Sequence, residues 1–173
     1  IDIYPMLGAE AVTKLCDGTV DAAVIYTPVY GDGVVARPLF MDTPDVLMHR
    51  EHPLAADDRV ILTQLRDHPI LTWESDSHPG LTDALTLACR RLDFTPTFVE
   101  VDARPGALAA ALEAQRGVAV IAHAWSQSAV LPSLVARPLR EPAIALSAVL
   151  AHVDTLRPAV ARALDHVLDE EAT

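Results

Sequence analysis

Polar side chains that could bind a small molecule are concentrated in residues 74–82. Four of them lie just before or within the first turn of a predicted helix: Ser75, Ser77, His78 and Thr82. The unpaired N–H groups and the positive dipole end of such a helix favour a carboxylate or another anion. Ser and Thr at a helix start also serve as N-caps of their own helix. The segment therefore predicts a ligand contact or an N-cap, and one residue can do both.

Further candidates for ligand binding follow predicted strands or begin the helices after them: Met6, Tyr26, Thr27, Trp73, Arg104 and His123. Open α/β sheets bind ligands outside the carboxyl ends of their strands, which is where these residues are expected. Each has a purely structural alternative. Tyr26 could pack against a hinge, Arg104 could be a solvated surface cation, and His123 could pack beneath its sheet. Trp73 is expected in the core, or stacked on an aromatic ligand.

No catalytic or cofactor motif is present in the sequence. It contains no G-x-S-x-G elbow, no P-loop and no G-x-G-x-x-G. The seven histidines are scattered without zinc-binding spacing, and Cys16 and Cys89 lie far apart. The sequence therefore predicts a binding protein that is not an enzyme and needs no metal or cofactor. Two isolated thiols are typical of a reducing cytoplasm.

The charge and composition limit the partners of this chain. Its formal net charge is -11, and 51% of its residues are hydrophobic. An acidic surface repels phosphate backbones, so we predict that this chain does not itself bind DNA. No apolar run approaches the roughly twenty residues that span a bilayer, and no signal peptide is visible. The sequence therefore predicts a folded cytoplasmic domain with no membrane partner.

Strand-like and helix-like segments alternate, which is typical of βαβ units and predicts an α/β fold with mostly parallel sheets. The predicted strands are residues 1–6, 20–26, 34–40, 46–50, 69–73, 97–101, 118–122, 134–139 and 143–151. A turn is predicted at residues 42–45, and the strand at residues 20–26 is expected to be buried on both faces. The predicted helices are residues 8–17, 62–66, 81–92, 106–116 and 156–168. We predict two lobes, residues 1–67 plus 141–173, and residues 68–140.

Five segments, in order and at suitable spacing, carry a family resemblance: residues 15–24, 37–55, 62–71, 111–121 and 135–139. The second contains the run His52-Pro53-Leu54-Ala55, and the fourth contains a helix-to-strand turn at Gly117. Together these segments resemble the effector domain of LysR-type bacterial transcription regulators. Each motif is weak alone, and the resemblance rests on their order.

The resemblance implies two Rossmann-like lobes with a hinge, like those of type II periplasmic binding proteins. It implies a small-molecule effector, anionic or aromatic, bound in the cleft between the lobes. It also implies a homodimer or tetramer, with contacts along the helix at residues 9–17 and the edge strands of the second lobe. Exposed apolar positions such as Val12 would be diagnostic. DNA would be bound only through an N-terminal winged helix-turn-helix that this chain lacks. The opening strand and helix of the first lobe would be missing too.

Two other classes of protein remain as alternatives. A periplasmic solute-binding protein has a related fold, but the missing signal peptide and the HPLA-type run speak against it. A small enzyme of the prephenate dehydratase kind would need a convergent acid, base or nucleophile, and the sequence shows none.

Overall fold

The computed structural model describes residues 2–4, 6, 8–73, 79–102, 106–127, 131–154 and 160–162. The chain forms two compact units. Unit 1 comprises Ile1–Phe40 and Ser147–Thr173, and unit 2 comprises Met41–Leu146. These boundaries differ from those of the predicted lobes, because residues 41–67 and 141–146 belong to unit 2.

The described residues contain nine strands and four α-helices. The strands are β1 (Ala22–Tyr26), β2 (Val34–Asp42), β3 (Pro44–His49), β4 (Val60–Ile61), β5 (Ile70–Trp73), β6 (Phe98–Val101), β7 (Val118–Ala122), β8 (Leu134–Arg140) and β9 (Leu146–Val153). The α-helices are α1 (Gly8–Cys16), α2 (Pro79–Arg91), α3 (Ala107–Glu113) and α4 (His123–Ser126). Two 3-10 helices span Pro53–Ala56 and Leu62–Asp67. None of the described helices is long and apolar enough to cross a membrane.

Unit 1 contains a three-stranded sheet of order β1-β9-β2, with β1 antiparallel to β9. Helix α1 buries Ala11 and Leu15 against Ile25 and Ala151. The expected exposure of Val12 was wrong, because its side chain is half-buried against this core. Helix α1 ends where predicted, just before Gly18, whose φ of 75° places it in the left-handed region.

Unit 2 contains a six-stranded sheet of order β4-β8-β3-β7-β5-β6. Strand β5 pairs in parallel with β6 and β7, whereas β3 lies antiparallel between β7 and β8. The sheet is therefore mixed, where mostly parallel pairing was predicted. The reason is that β3 belongs to the second cluster of strands, although it precedes the others in the sequence. Helix α3 packs Leu108, Ala111 and Leu112 into the core of this sheet.

Several predicted elements differ from the observed ones. Residues 2–4 and 6 form no strand, although one was predicted across residues 1–6. Strand β1 is not buried on both faces, because the Val24 side chain is 61% exposed. Most of the predicted helix at residues 156–168 lies outside the described residues. The three residues of it that are described, 160–162, are helical. Helix α4 and strand β4 were not predicted, because each is too short to show a hydrophobic period.

The His52-Pro53-Leu54-Ala55 run has a structural role in unit 2. The His52 Nδ1 atom accepts a hydrogen bond of 3.2 Å from the Leu54 N–H, which caps the 3-10 helix Pro53–Ala56. Leu54 and Ala55 are buried. The Arg137 guanidinium donates to the carbonyl oxygens of Ala55 at 3.1 Å and Asp57 at 2.7 Å, and so caps the other end. The run therefore fixes a tight bend after β3.

We predict that His52 makes the stability of unit 2 depend on pH. Burial, and secondarily the charge of the neighbouring His68, lower the pKa of His52. A histidine whose folded-state pKa is lowered stabilises the fold fully above its unfolded pKa of about 6.5, and this stability is lost as the pH falls through the folded-state pKa. Between about pH 7.5 and 5.5 the melting temperature of the wild type should fall more than that of His52→Asn. Asn keeps the N-cap but does not titrate. Equal falls in both proteins would contradict the prediction.

We predict that Gly117→Ala strongly destabilises unit 2. Gly117 has a φ of 148°, and a Cβ atom there would lie 2.2 Å from the Pro69 carbonyl oxygen. That oxygen also accepts the Val118 N–H at 3.0 Å, so the backbone has little room to move. We expect a loss of about 2–4 kcal/mol in the free energy of unfolding, measured by chemical denaturation.

Gly106→Ala is the matched control in the same unit. Gly106 has a φ of 83°, and a Cβ atom added there would have no neighbouring atom within 4 Å, so only backbone strain of about 1–2 kcal/mol is expected. A loss at Gly117 no larger than that at Gly106 would show that contact with Pro69 is unimportant.

Candidate ligand-binding site

The candidate site lies at one edge of the unit 2 sheet, which we call the carboxyl edge. The parallel strands β5, β6 and β7 end there at Trp73, Val101 and Ala122. Strand β3 begins at the same edge, because Pro44 pairs with Ala122 in the antiparallel ladder. Ligands of open α/β sheets bind at such an edge.

The carboxyl edge is also where unit 2 connects to the rest of the chain. Met41, the first residue of unit 2, lies three residues before Pro44. Strand β8 pairs with β3 antiparallel, Asp45 opposite Pro138, and therefore ends at this edge.

Two buried aspartates hold the carboxyl edge together. Asp45 is 3% exposed and Asp42 is 8% exposed. The Asp45 Oδ2 atom lies 2.8 Å from His123 Nδ1 and accepts a hydrogen bond from the Ser126 hydroxyl. Asp42 accepts the backbone N–H groups of Thr43 at 2.7 Å and Ala124 at 3.2 Å. Both carboxylates are thereby supplied with the donors that a buried charge requires.

These bonds attach the short helix α4 to the start of β3. The His123 N–H donates to the Thr43 carbonyl oxygen at 3.2 Å, which adds a backbone bond to the side-chain ones. The Ser126 hydroxyl also lies 2.8 Å from the His123 carbonyl oxygen. A four-residue helix has almost no stability of its own, so we infer that the aspartates fix its position.

Asp45 determines which nitrogen of His123 carries the proton. A carboxylate accepts hydrogen bonds and has no proton to donate, so His123 Nδ1 must be the donor in this pair. In the neutral ring, Nε2 then has a lone pair and acts as an acceptor. The His123 side chain is 51% exposed, so this ring can meet a ligand from solvent.

An aromatic pair lies on the other side of the end of β7. The Trp73 and Trp125 rings meet edge-to-face, with centroids 5.6 Å apart and an interplanar angle of 76°. Trp73 ends β5, and Trp125 lies on α4 and is 40% exposed. Through their contacts, His123 faces β3 and Trp125 faces β5, and these two strands flank β7. Three neighbouring strands span about 10 Å, so a single planar ring can lie across the end of β7 and reach both residues.

A narrow crevice of about 20 Å³ lies beside the Trp73 ring. Thr82 and Leu85 of α2 line it together with strand residues that include Thr72 and Phe98. This volume holds about one water molecule and is too small for an organic ligand. The crevice itself is therefore not the ligand site, although it places Thr82 beside Trp73.

The structure brings together three of the predicted site residues, Trp73, Thr82 and His123, at the carboxyl edge or beside it. Three others lie in unit 1. Met6 packs against the core of that unit, Tyr26 ends β1 opposite Ala148, and the Thr27 N–H donates to Ser147. The remaining four lie outside the described residues: Ser75, Ser77, His78 and Arg104.

Sequence reasoning missed Asp42, Asp45, Trp125 and Ser126. The two aspartates were predicted to belong to an ordinary turn, because Asp-Thr-Pro-Asp has the composition of one. Only the pairing of β3 with β7 places them beneath His123, and nothing local in the sequence indicates that pairing.

The described part of the chain contains no group of metal ligands, and its buried cysteine is unreactive. No three side chains of the His, Cys, Asp and Glu type are grouped as metal ligands there. Burial raises the pKa of the Cys89 thiol to about 11, so that this thiol stays protonated and unreactive.

Comparison with known proteins identifies a family. The family model described as LysR substrate binding domain matches residues 1–172. The HTH-type transcriptional regulator AlsR of Bacillus subtilis (strain 168) is 23% identical over 101 residues, which are 58% of this chain and 33% of that protein. The chain thus spans about a third of the length of this curated relative.

Solved structures show the same fold. CbnR in complex with its target DNA matches with a TM-score of 0.77 and 15% identity, over 97% of this chain and 59% of that one. The BenM effector binding domain with its effector benzoate matches with a TM-score of 0.67 and 22% identity, over 88% of this chain and 69% of that one. The predicted fold class, a two-lobe α/β fold of the type II periplasmic-binding-protein kind, is confirmed. The chain belongs to the LysR substrate binding domain family.

Proposed function

We propose that this chain is the small-molecule-sensing domain of a LysR-type transcription regulator that acts in the cytoplasm. The family match supports this function and overturns the alternative of a periplasmic solute-binding protein. The net charge of -11 supports the proposal that DNA is bound by another segment of the regulator and not by this chain. The regulator is proposed to act as a homodimer or tetramer.

One observation carries the proposal of ligand sensing. At the carboxyl edge, buried aspartates support a half-exposed histidine and an exposed tryptophan on a very short helix. A buried acid that only stabilised the fold would not need to orient an exposed ring. We therefore propose His123, Trp73 and Trp125 as ligand contacts, with Thr82 at the margin. Ser75, Ser77, His78 and Arg104 follow β5 and β6 and remain predicted contacts, as do Met6, Tyr26 and Thr27 of unit 1.

A ligand bound at this edge can regulate the protein by shifting a conformational equilibrium. It changes a conformational equilibrium only by the difference between its affinities for the two states. The carboxyl edge adjoins both connections between unit 2 and the rest of the chain. We propose that the ligand stabilises one arrangement of these connections and so alters the presentation of the DNA-binding segments.

We predict that ligands raise the melting temperature through the carboxyl edge. The test is a thermal-shift screen of carboxylic acids, phenols, amino acids and sugars, repeated with His123→Ala and Trp125→Ala. A ligand at one hundred times its Kd adds about 2.7 kcal/mol of stability, and both variants should lose most of this increment.

Leu87→Ala is the control, because Leu87 is 53% exposed on α2 and is not at the carboxyl edge. This variant should keep the full shift. If both edge variants fold and respond to every ligand like the wild type, the proposed site is wrong.

A further inference from the structure

We propose that the Asp45–His123 pair makes this site selective for neutral aromatic hydroxyl compounds over aromatic carboxylates. This inference rests on the proposed function and specifies the ligand class of the same site. Its basis is the placement near the end of β7 of two tryptophan rings and a half-exposed His123 whose Nδ1 is held by Asp45.

The acceptor follows from the hydrogen bonds of Asp45. Asp45 Oδ2 accepts the Nδ1–H of His123 at 2.8 Å and the Ser126 hydroxyl. A neutral His123 therefore offers a lone pair at Nε2, which accepts a phenolic O–H. A carboxylate ligand offers no proton at this point, and two lone-pair atoms facing each other repel.

The buried negative charges at the carboxyl edge also favour a neutral ligand over a carboxylate. Asp42 and Asp45 are both buried beneath α4, and His123 is the one basic side chain that the described structure places in contact with Asp45. A carboxylate ligand at His123 would bring a further negative charge close to the buried Asp45. Like charges repel, so this arrangement disfavours an anion. A neutral hydroxyl avoids that penalty.

The tryptophan pair accounts for the aromatic part of the ligand. The Trp125 ring is 40% exposed and is held at its edge by Trp73, so it presents a fixed apolar surface. Aromatic rings prefer offset or edge-to-face contacts with centroids about 4.5–7 Å apart. A ring lying across the end of β7 can make such a contact while its hydroxyl points to His123.

The test compares three probes of matched shape: 4-methylphenol, 4-methylanisole and 4-methylbenzoate. Affinities are measured by calorimetry at about pH 8, where an ordinary histidine is neutral. The wild type should bind the phenol at least about tenfold more tightly than the ether or the acid, a difference of about 1.4 kcal/mol. In His123→Phe the phenol and the ether should bind equally, because only the aromatic contacts remain.

Asp45→Asn should abolish the preference for the phenol over the benzoate. With its amide nitrogen in the place of Asp45 Oδ2, Asn donates to His123 Nδ1 and to the Ser126 hydroxyl oxygen, whose own proton can go to the His123 carbonyl oxygen. The ring proton then moves to Nε2, which becomes a donor. The ratio of phenol to benzoate affinity should then fall at least about tenfold. Ser126→Ala leaves the Asp45–His123 bond intact and should keep the wild-type preference. Should Asp45→Asn fail to fold, His123→Phe still tests the inference.

Different experimental results would contradict the inference and the proposed function. A wild type that prefers the benzoate, or binds none of the three probes, overturns the inference. The proposed function survives either result, provided that another compound gives a thermal shift that His123→Ala and Trp125→Ala abolish. Unchanged selectivity in His123→Phe also overturns the inference.

Discussion

Burying the Asp45 carboxylate at the start of β3 costs free energy that only hydrogen bonds can offset. The available donors are His123 and Ser126, both on α4, so the need to satisfy one charge fixes a helix that could not form alone. Asp42 reinforces this attachment through the Ala124 N–H. The orientation of His123 at the carboxyl edge thus follows from an electrostatic requirement inside the sheet.

The position of β3 makes this arrangement possible. Because β3 runs antiparallel between β7 and β8, its first residues lie where the parallel strands end. A parallel strand in the same place would have put Asp42 and Asp45 at the opposite edge. The same topology brings Met41, the first residue of unit 2, and the end of β8 close to the carboxyl edge.

Local patterns in the sequence predicted most of the elements but not their partners. The helix ending at Gly18 and the buried run of β7 were predictable, because a glycine stop and a continuous apolar run are local signals. The division of the units was not, since it depends on β3 pairing with strands about 75 to 90 residues later. His123, Trp73 and Thr82 could be chosen from their places at strand and helix ends. Asp45 and Ser126 could not, because their importance comes from burial and from a contact across the sheet.

The most direct test of this account is the protonation pattern of His123, read from the 15N chemical shifts of its ring at about pH 8. The signal would be assigned by its loss in His123→Gln. The account predicts that Nδ1 carries the proton and that Nε2 shows the shift of an unprotonated nitrogen. A ring protonated at Nε2 alone would contradict it, because the Asp45 carboxylate would then have no donor from His123 and the proposed acceptor would not exist.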